Sequence, residues 1–271
     1  MKKLLLAALT CAAGLSLAAC GKKTSTTKGD KTTPTVKKLV VGTNAEFPPF
    51  EYKDGTAITG FDMDLIRAYG EWAKIDIEIQ DMEFDAALAG VTTGKVDVAV
   101  AAITVNDSRK EVMSFSNTYY ASNQVVVCKQ GSAYASLTTE TEILNALKNK
   151  NIGCQRGTTG QYYIEGDEEW GFNGITGATC TMFDNASLAF MALNNGSIDA
   201  VIIDEAPAKS IVASKFSTTL KVLDCALTSE EYAIAVKKNN SELITSLNTF
   251  LAEYKTNGGY DALIAKYFDA E

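Results

Sequence analysis

Histidine is absent from all 271 residues. Its absence removes the commonest general base, the Ser–His and Cys–His nucleophile pairs and most zinc sites, so any catalysis would have to run on carboxylates. Past residue 20 there is no second apolar run of membrane-spanning length, so the chain is not a channel or membrane receptor subunit by itself. The four cysteines of that region, Cys128, Cys154, Cys180 and Cys225, lack the short paired spacing of a metal knuckle. Neither metal nor cofactor is expected. Positive charge is also short: residues 39–271 hold 17 Lys+Arg against 32 Asp+Glu. Such an acidic body argues against nucleic acid, which calls for clustered cations.

The first twenty residues are built differently. Lys2 and Lys3 precede an apolar run from Leu4 to Leu17, followed by the small residues Ala18 and Ala19. This is the anatomy of a secretory signal, too short to span a bilayer stably. It could be an ordinary signal cut near Ala19, with Cys20 incidental. However, Leu17-Ala18-Ala19-Cys20-Gly21 resembles the bacterial lipobox, whose cysteine is acylated before cleavage. Residues 1–20 are therefore expected to be a lipoprotein signal peptide and Cys20 the lipidation site, with Cys11 leaving in the signal. Residues 21–38 carry Gly, Ser, Thr, Pro, six lysines and one acid, Asp30. They bury too little apolar surface to offset their ordering entropy and are expected to be a flexible tether. A basic stalk below an acidic body fits a soluble domain held at an anionic lipid surface, outside the cytoplasm.

The body of about 230 residues alternates strand and helix patterns. "KLVVGT" is a short apolar run ending in a Gly-Thr turn, and "IDIEIQDM" alternates as a strand does. Between them "GFDMDLIRAYGEWAK" puts Phe61, Leu65, Ile66, Tyr69 and Trp72 on one helical face. Elements interleaved at this length predict an α/β fold with doubly wound parallel sheets covered on both faces. The pattern then restarts: "GKVDVAV" and "GSIDAVI" each place an apolar-Asp-apolar strand after a glycine-ended helix. The repeated unit predicts two similar α/β lobes facing each other across a cleft. In exported proteins an even cysteine count suggests disulfides, and four allow three connectivities; buried free thiols are the alternative.

Ligands of open α/β sheets sit beyond the carboxyl ends of strands, so the residues there are the candidates. Phe47 precedes two prolines that stiffen its loop, and Phe84 could supply a second ring to hold a small organic ligand. Thr104 follows "VDVAVAAI", and Arg109 stands five residues later at the start of a helix pattern. Only Arg67 and Arg156 accompany Arg109 in a lysine-rich chain, which suggests that the planar fork matters here. A carboxylate taken by that fork makes charge-assisted bonds of roughly 1.5–3 kcal/mol each. "RGTTGQYY" sets Thr158 and Thr159 at a strand-to-helix turn, where backbone N–H groups attract anions. Asp204 ends the strand "DAVIID", where it could hold an ammonium group or cap the next helix. Together these residues describe a receptor for an α-amino acid zwitterion.

The words "VGTNAEFPPFEY", "GFDMDLIRA", "GKVDVAVAAITVNDSRKEVMSFSNTYY", "GTTGQ", "IDAVIIDEA" and "NGGYDALIAKYF" occur in one order from Leu39 to Phe268. In these the chain resembles the polar amino-acid family (family 3) of solute-binding proteins, the extracytoplasmic receptors of ABC importers. The resemblance implies a type II periplasmic-binding-protein-like fold. Lobe 1 would comprise residues 39–120 and 232–271, lobe 2 residues 121–231, joined by two hinge strands near Tyr120 and Tyr232. It also implies a monomeric, non-enzymatic protein that takes a free amino acid by hinge closure and delivers it to ABC permease subunits. By this resemblance Arg109 receives the carboxylate and Asp204 the ammonium. Thr158 and Thr159 form the carboxylate-binding turn, Thr104 is a hydroxyl ligand, and Phe47 and Phe84 are the aromatic positions. Ala101 and Ala102 stand where relatives have Ser or Gly, with the Ala102 carbonyl still able to accept from the ammonium. Asn44 replaces an acid common in relatives that prefer basic amino acids, and Gln155 replaces an apolar residue, so a neutral polar ligand is expected. Glu46 points the other way if it faces the ligand. The implied topology would bring together Cys154 with Cys180, and Cys128 with Cys225. A rival from another class is a cyclohexadienyl-dehydratase-like enzyme on the same fold, with Glu46 or Glu205 as its acid.

Overall fold

The computed structural model describes residues 37–268. The signal segment, the Cys20 lipidation site and residues 21–36 of the tether lie outside the described residues. The body opens with β1 (Lys38–Thr43) and a small hairpin of β2 (Glu46–Phe47), β3 (Glu51–Asp54) and β4 (Ala57–Thr59). Then come α1 (Phe61–Ala73), β5 (Asp76–Asp81), α2 (Phe84–Thr93), β6 (Val98–Ala99), α3 (Asp107–Val112) and β7 (Met113–Phe115). The first crossing strand, β8 (Tyr120–Ser122), leads into β9 (Gln124–Lys129), α4 (Glu140–Leu147), β10 (Asn151–Gln155) and α5 (Thr159–Glu165). β11 (Thr179–Phe183), α6 (Ala186–Asn195), β12 (Ala200–Asp204), α7 (Glu205–Ile211) and β13 (Leu220–Val222) complete that half. The second crossing strand, β14 (Glu230–Tyr232), returns the chain to β15 (Ala235–Lys237), α8 (Ser241–Thr256) and α9 (Gly259–Tyr267).

Two five-stranded sheets result, ordered β5-β1-β6-β15-β7 and β11-β10-β12-β9-β13. In each, the first three strands are parallel and the fourth runs against both neighbours. The sheets are thus mixed rather than wholly parallel, because the crossing strands hand each lobe an antiparallel strand. The internal repeat is carried in detail. Gly94 and Gly196 end α2 and α6 in the left-handed conformation, at φ 79° and 88°. Three residues later Asp97 accepts the backbone N–H of Val40 at 2.8 Å, and Asp199 that of Asn151 at 2.9 Å. The aspartate inside each repeated word therefore pins β6 to β1 in one sheet and β12 to β10 in the other.

Lobe 1 packs α1 against its sheet through Phe61, Leu65, Ile66 and Tyr69, all buried. Trp72, expected on the same face, is 40% exposed; its indole donates to Glu253 Oε2 at 2.8 Å. Snorkelling of this kind suits a ring with one polar edge. Gly60, at φ 127°, lets α1 start hard against the hairpin, since a Cβ there would lie 2.2 Å from the Phe50 carbonyl oxygen. The Phe50 ring stands 4.9 Å from Tyr120 and 5.2 Å from Tyr232, centroid to centroid. This tethers the antiparallel pair β8–β14, where Tyr120 faces Tyr232, to the core of lobe 1.

The four body cysteines are free thiols. Cys154 and Cys180 lie diagonally on adjacent parallel strands, with Sγ atoms 3.2 Å apart. The expected partner set for Cys128 is not formed. Lys221 stands opposite it, and Cys225 lies beyond the end of β13 in a loop rather than in a strand. The Cys180 contact, with burial, holds the Cys154 thiol well above its ordinary pKa, which suppresses its reactivity as a lone thiolate. Diamide oxidation is expected to consume two of the four body thiols. Peptide mapping should place the link on Cys154–Cys180 and find Cys128 and Cys225 still alkylated after denaturation. A link containing Cys128 would contradict this placement.

Candidate functional site

The loops that follow β1, β6, β10 and β12 meet between the lobes, at the carboxyl ends of their strands. They line a narrow cavity with about 320 Å³ of non-atom space, the solvent at its mouth included. Lobe 1 lines it with Asn44, Phe47, Phe84, Ala101, Ala102, Thr104 and Arg109, and lobe 2 with Gln155, Thr158, Thr159 and Asp204. All eleven ligand-site residues expected from sequence thus share one cavity. Glu51, from the hairpin, also lines it.

Arg109 stands at the third position of the short helix α3, whose start is fixed by Asn106 accepting the Arg109 backbone N–H at 2.7 Å. From there its side chain is buried at the cavity wall. Nη1 donates to the Thr104 carbonyl at 2.7 Å, and Nη2 crosses to lobe 2 to donate to the Gly157 carbonyl at 3.0 Å. Among the described residues these contacts use two of the five N–H donors of the guanidinium, leaving the rest for a ligand. Burial lowers its pKa to about 10, with Glu230 and Asp204 among the groups opposing the shift, so it stays charged.

Asp204 holds the N-cap position of α7 but makes no side-chain capping bond. Instead Oδ1 accepts from Ser122 Oγ at 3.3 Å and from the Tyr232 hydroxyl, one on each crossing strand. Burial raises its pKa to about 7, Glu230 adds to the rise, and Tyr232 opposes it. Such a carboxyl is poised to ionise fully when a cation arrives.

Some expected roles are altered by the contacts. The hydroxyls of Thr104 and Thr159 both donate to Glu230 Oε2, at 2.6 and 2.8 Å, and lie 3.3 Å from each other. They offer a ligand lone pairs rather than protons. Thr158 Oγ1 donates back to the Gln155 carbonyl at 2.8 Å. Gln155 Nε2 donates to Asn44 Oδ1 at 2.8 Å, and Asn44 Nδ2 to the Met82 carbonyl at 2.9 Å. The two amides therefore bridge the lobes. Together with the Arg109–Gly157 bond, this bridge shows the lobes closed on each other.

Three buried acids escaped the sequence reasoning. Glu230 on β14 gathers both threonines through Oε2 and Thr228 through Oε1, at 2.6 Å. Asp62 accepts the Ala102 backbone N–H at 2.8 Å and the Tyr119 hydroxyl at 2.7 Å. The Ala102 bond fixes that residue at φ 47°, a left-handed conformation costly for alanine. Glu51 lies beside Asp62, and each keeps one buried oxygen without a partner. Burial raises Glu51 well above the carboxylate range and Asp62 to about 6. Burial and the neighbouring Asp62 charge both favour a proton on Glu51. A signal for Asp62 existed: it falls on the buried face of α1, with Leu65, Ile66 and Tyr69. Glu230 sits in an acidic, loop-like stretch and had none.

The two glutamates that an enzyme would need do not reach the cavity. Glu205 Oε1 pairs with Lys209 at 2.6 Å and Oε2 accepts from Asn123 at 2.8 Å. Those bonds lower its pKa, the wrong direction for a general acid. Glu46 pairs on β2 with Tyr52 of β3 and is not among the cavity-lining residues. Among the described residues no group of three or more His, Cys, Asp or Glu could hold a metal ion.

Comparison with known proteins points the same way. The family profile of the bacterial extracellular solute-binding proteins, family 3, matches residues 39–270. The chain is 31% identical over 274 residues to the probable histidine-binding protein of Neisseria gonorrhoeae, covering 100% of this chain and 97% of that one. It is also 31% identical over 274 residues to the arginine-binding extracellular protein ArtP of Bacillus subtilis, covering 100% of both. Among solved structures, an ancestral arginine-binding protein bound to glutamine superposes with a TM-score of 0.76 at 35% identity, covering 85% of this chain and 97% of that one.

The Glu51–Asp62 pair links stability to pH. Because their folded pKa values lie above ordinary ones, the fold binds a proton that the unfolded chain releases. The associated stability is present in acid and is lost as pH rises through the raised values; Asp204 adds to the same trend. Urea unfolding of the unliganded protein is expected to show stability falling from about pH 5 to about pH 8. Glu51→Gln keeps a donor towards Asp62 without the titrating proton and should flatten that slope. An unchanged or steeper slope would contradict a Glu51 carboxyl that holds its proton in the fold.

Proposed function

The chain belongs to the family 3 bacterial extracellular solute-binding proteins, and on that premise we propose that it captures one free α-amino acid between its lobes and delivers it to the permease subunits of an ABC importer. The observation that carries this is the opposition of charge across one cavity: Arg109 from lobe 1 and Asp204 from lobe 2, both buried, line the same space. The guanidinium fork takes the α-carboxylate and Asp204 the α-ammonium, while the Phe47 and Phe84 rings hold the side chain. The backbone N–H groups of Thr158 and Thr159 add donors at the start of α5, and the Ala102 carbonyl a further acceptor for the ammonium. The lobes open and close about β8 and β14, and the closed form grips the guest from both sides.

The preferred side chain is neutral and polar. The amides of Asn44 and Gln155 meet at the cavity, and burial holds the pKa of Glu51, the acid that also lines it, well above the carboxylate range, so it supplies no fixed counter-charge. Burying a guest cation without one is costly. Glutamine, the guest in the ancestral arginine-binding protein, is accordingly the first candidate, and arginine, named for other relatives, is its competitor. Outside the described residues, Leu17-Ala18-Ala19-Cys20-Gly21 supports signal cleavage before Cys20 and acylation of its thiol. Residues 21–38 would then tether a monomeric receptor to the outer face of the cell membrane.

A thermal-shift screen of the common amino acids is expected to give its largest rise in Tm with glutamine, and no rise with carboxylated rings that a dehydratase would take. Micromolar binding requires about −8 kcal/mol, within reach of two charged anchors and a stacked side chain. Arg109→Ala should weaken binding of the selected amino acid by about 3–5 kcal/mol, since a carboxylate is left buried without its partner. Arg109→Lys, which keeps the charge but not the fork, should fall between. Titration calorimetry showing less than a tenfold loss for Arg109→Ala would refute the assigned role.

A further inference from the structure

Arg109 touches two spaces. It lines the ligand cavity, and it also lines a groove on the outer rim of the cleft with Asp85, Val112, Tyr162 and Trp170. The guanidinium is thus the wall between the bound guest and bulk water. Two aromatic rings lie against it. The Phe84 ring, from its own lobe, lies 5.4 Å from Cζ, and the Trp170 ring, from the opposite lobe, lies 5.0 Å away. Trp170 is not loosely placed. Its ring stacks on Tyr162 of α5 at 4.6 Å and 24°, and its backbone N–H donates to Asp167 Oδ1 at 3.1 Å. Paired backbone hydrogen bonds between Asp167 and Phe172, 2.9 Å each, close the turn that carries it.

We propose that Trp170 is a closure latch: a positioning residue, supplied by lobe 2, that seats the outer face of the Arg109 guanidinium when the lobes come together. Phe84 and the Thr104 carbonyl hold the fork within lobe 1, so it can meet a carboxylate while the cleft is open. Only closure adds the Trp170 ring and the Gly157 carbonyl, both from lobe 2. The ring then shields the charged pair from water, which strengthens both the cation–π contact and the carboxylate bond behind it. A contact made after encounter slows release and leaves association unaltered.

This proposal rests on the receptor function above, and the test separates the two. The probes are tritiated L-glutamine and L-arginine, and the protein carries Trp72→Phe so that Trp170 is its single tryptophan. Trp72 lies on the α1–α8 side of lobe 1, hydrogen-bonded to Glu253 and away from the cavity. Emission of the single-tryptophan protein should change when a bound probe closes the lobes. With Trp170→Ala, release of the probe after dilution should speed up about tenfold and Kd rise by the same factor, so that the association rate is unaltered. Trp170→Phe, which restores a ring, should return release to within about threefold of the parent. Unchanged release in Trp170→Ala, a loss confined to association, or no recovery with Trp170→Phe would each overturn the latch while leaving the receptor intact. If the parent protein binds neither probe nor any of the common amino acids in the thermal-shift screen, the receptor function fails and the latch falls with it.

Discussion

A guanidinium withdrawn from water costs several kcal/mol unless carbonyls, rings and anions replace its hydration shell. Arg109 is buried under that constraint, and much of the cleft can be understood as its replacement shell. Thr104 and Gly157 give carbonyls, Phe84 and Trp170 give ring faces, and Glu230 and Asp204 give negative charge close by. What the shell does not supply is a carboxylate in direct contact with the fork. Among the described residues no ion pair to Arg109 is formed. A ligand carboxylate is the group that would complete it. The affinity of such a site comes from a cation that the fold has already desolvated and oriented.

The acids around it are arranged so that the arginine is not neutralised before the ligand arrives. Glu230 is occupied by three threonine hydroxyls, Asp204 by the crossing strands, and Glu51 and Asp62 by each other. Each is held away from the fork. Glu230 has a second part in this. It stands on β14, one of the two strands that connect the lobes, and accepts from Thr104 of lobe 1 and Thr159 of lobe 2 through a single oxygen. Opening the cleft must break at least one of those bonds. A strand that connects the lobes thus holds one hydroxyl from each of them.

Both lobes and their internal repeat were legible because they rest on local rules. Glycine-ended helices, apolar strands and the aspartate within each repeated word mark the same device twice, and Asp97 and Asp199 indeed perform it twice. Phe47, Phe84, Thr104, Arg109, Thr158, Thr159 and Asp204 were legible because they follow strand patterns that can be read from the sequence, whereas Asn44, Ala101, Ala102 and Gln155 came from the family resemblance. Contacts between segments far apart in the chain were not legible. Glu230 lies 126 residues from Thr104, and Trp170 is brought over Arg109 by a turn whose position no periodicity predicts. For the same reason Thr104 and Thr159 were assigned to the ligand when a distant acid holds their protons. The Cys128 pairing failed because β13 ends at Val222, which leaves Cys225 in the loop beyond it while Lys221 stands opposite Cys128.

The account stands on two opposite charges, one from each lobe, gripping the two ends of one dipolar guest. Titration calorimetry of the wild-type protein with its amino acid, the decarboxylated amine and the deaminated acid tests this most directly. Each analogue keeps the side chain and one pole. The account predicts that both analogues bind at least a hundredfold more weakly than the amino acid, since each leaves Arg109 or Asp204 buried without its partner. An analogue that binds within tenfold of the amino acid would show that one of the two poles does not hold the guest, and would contradict it.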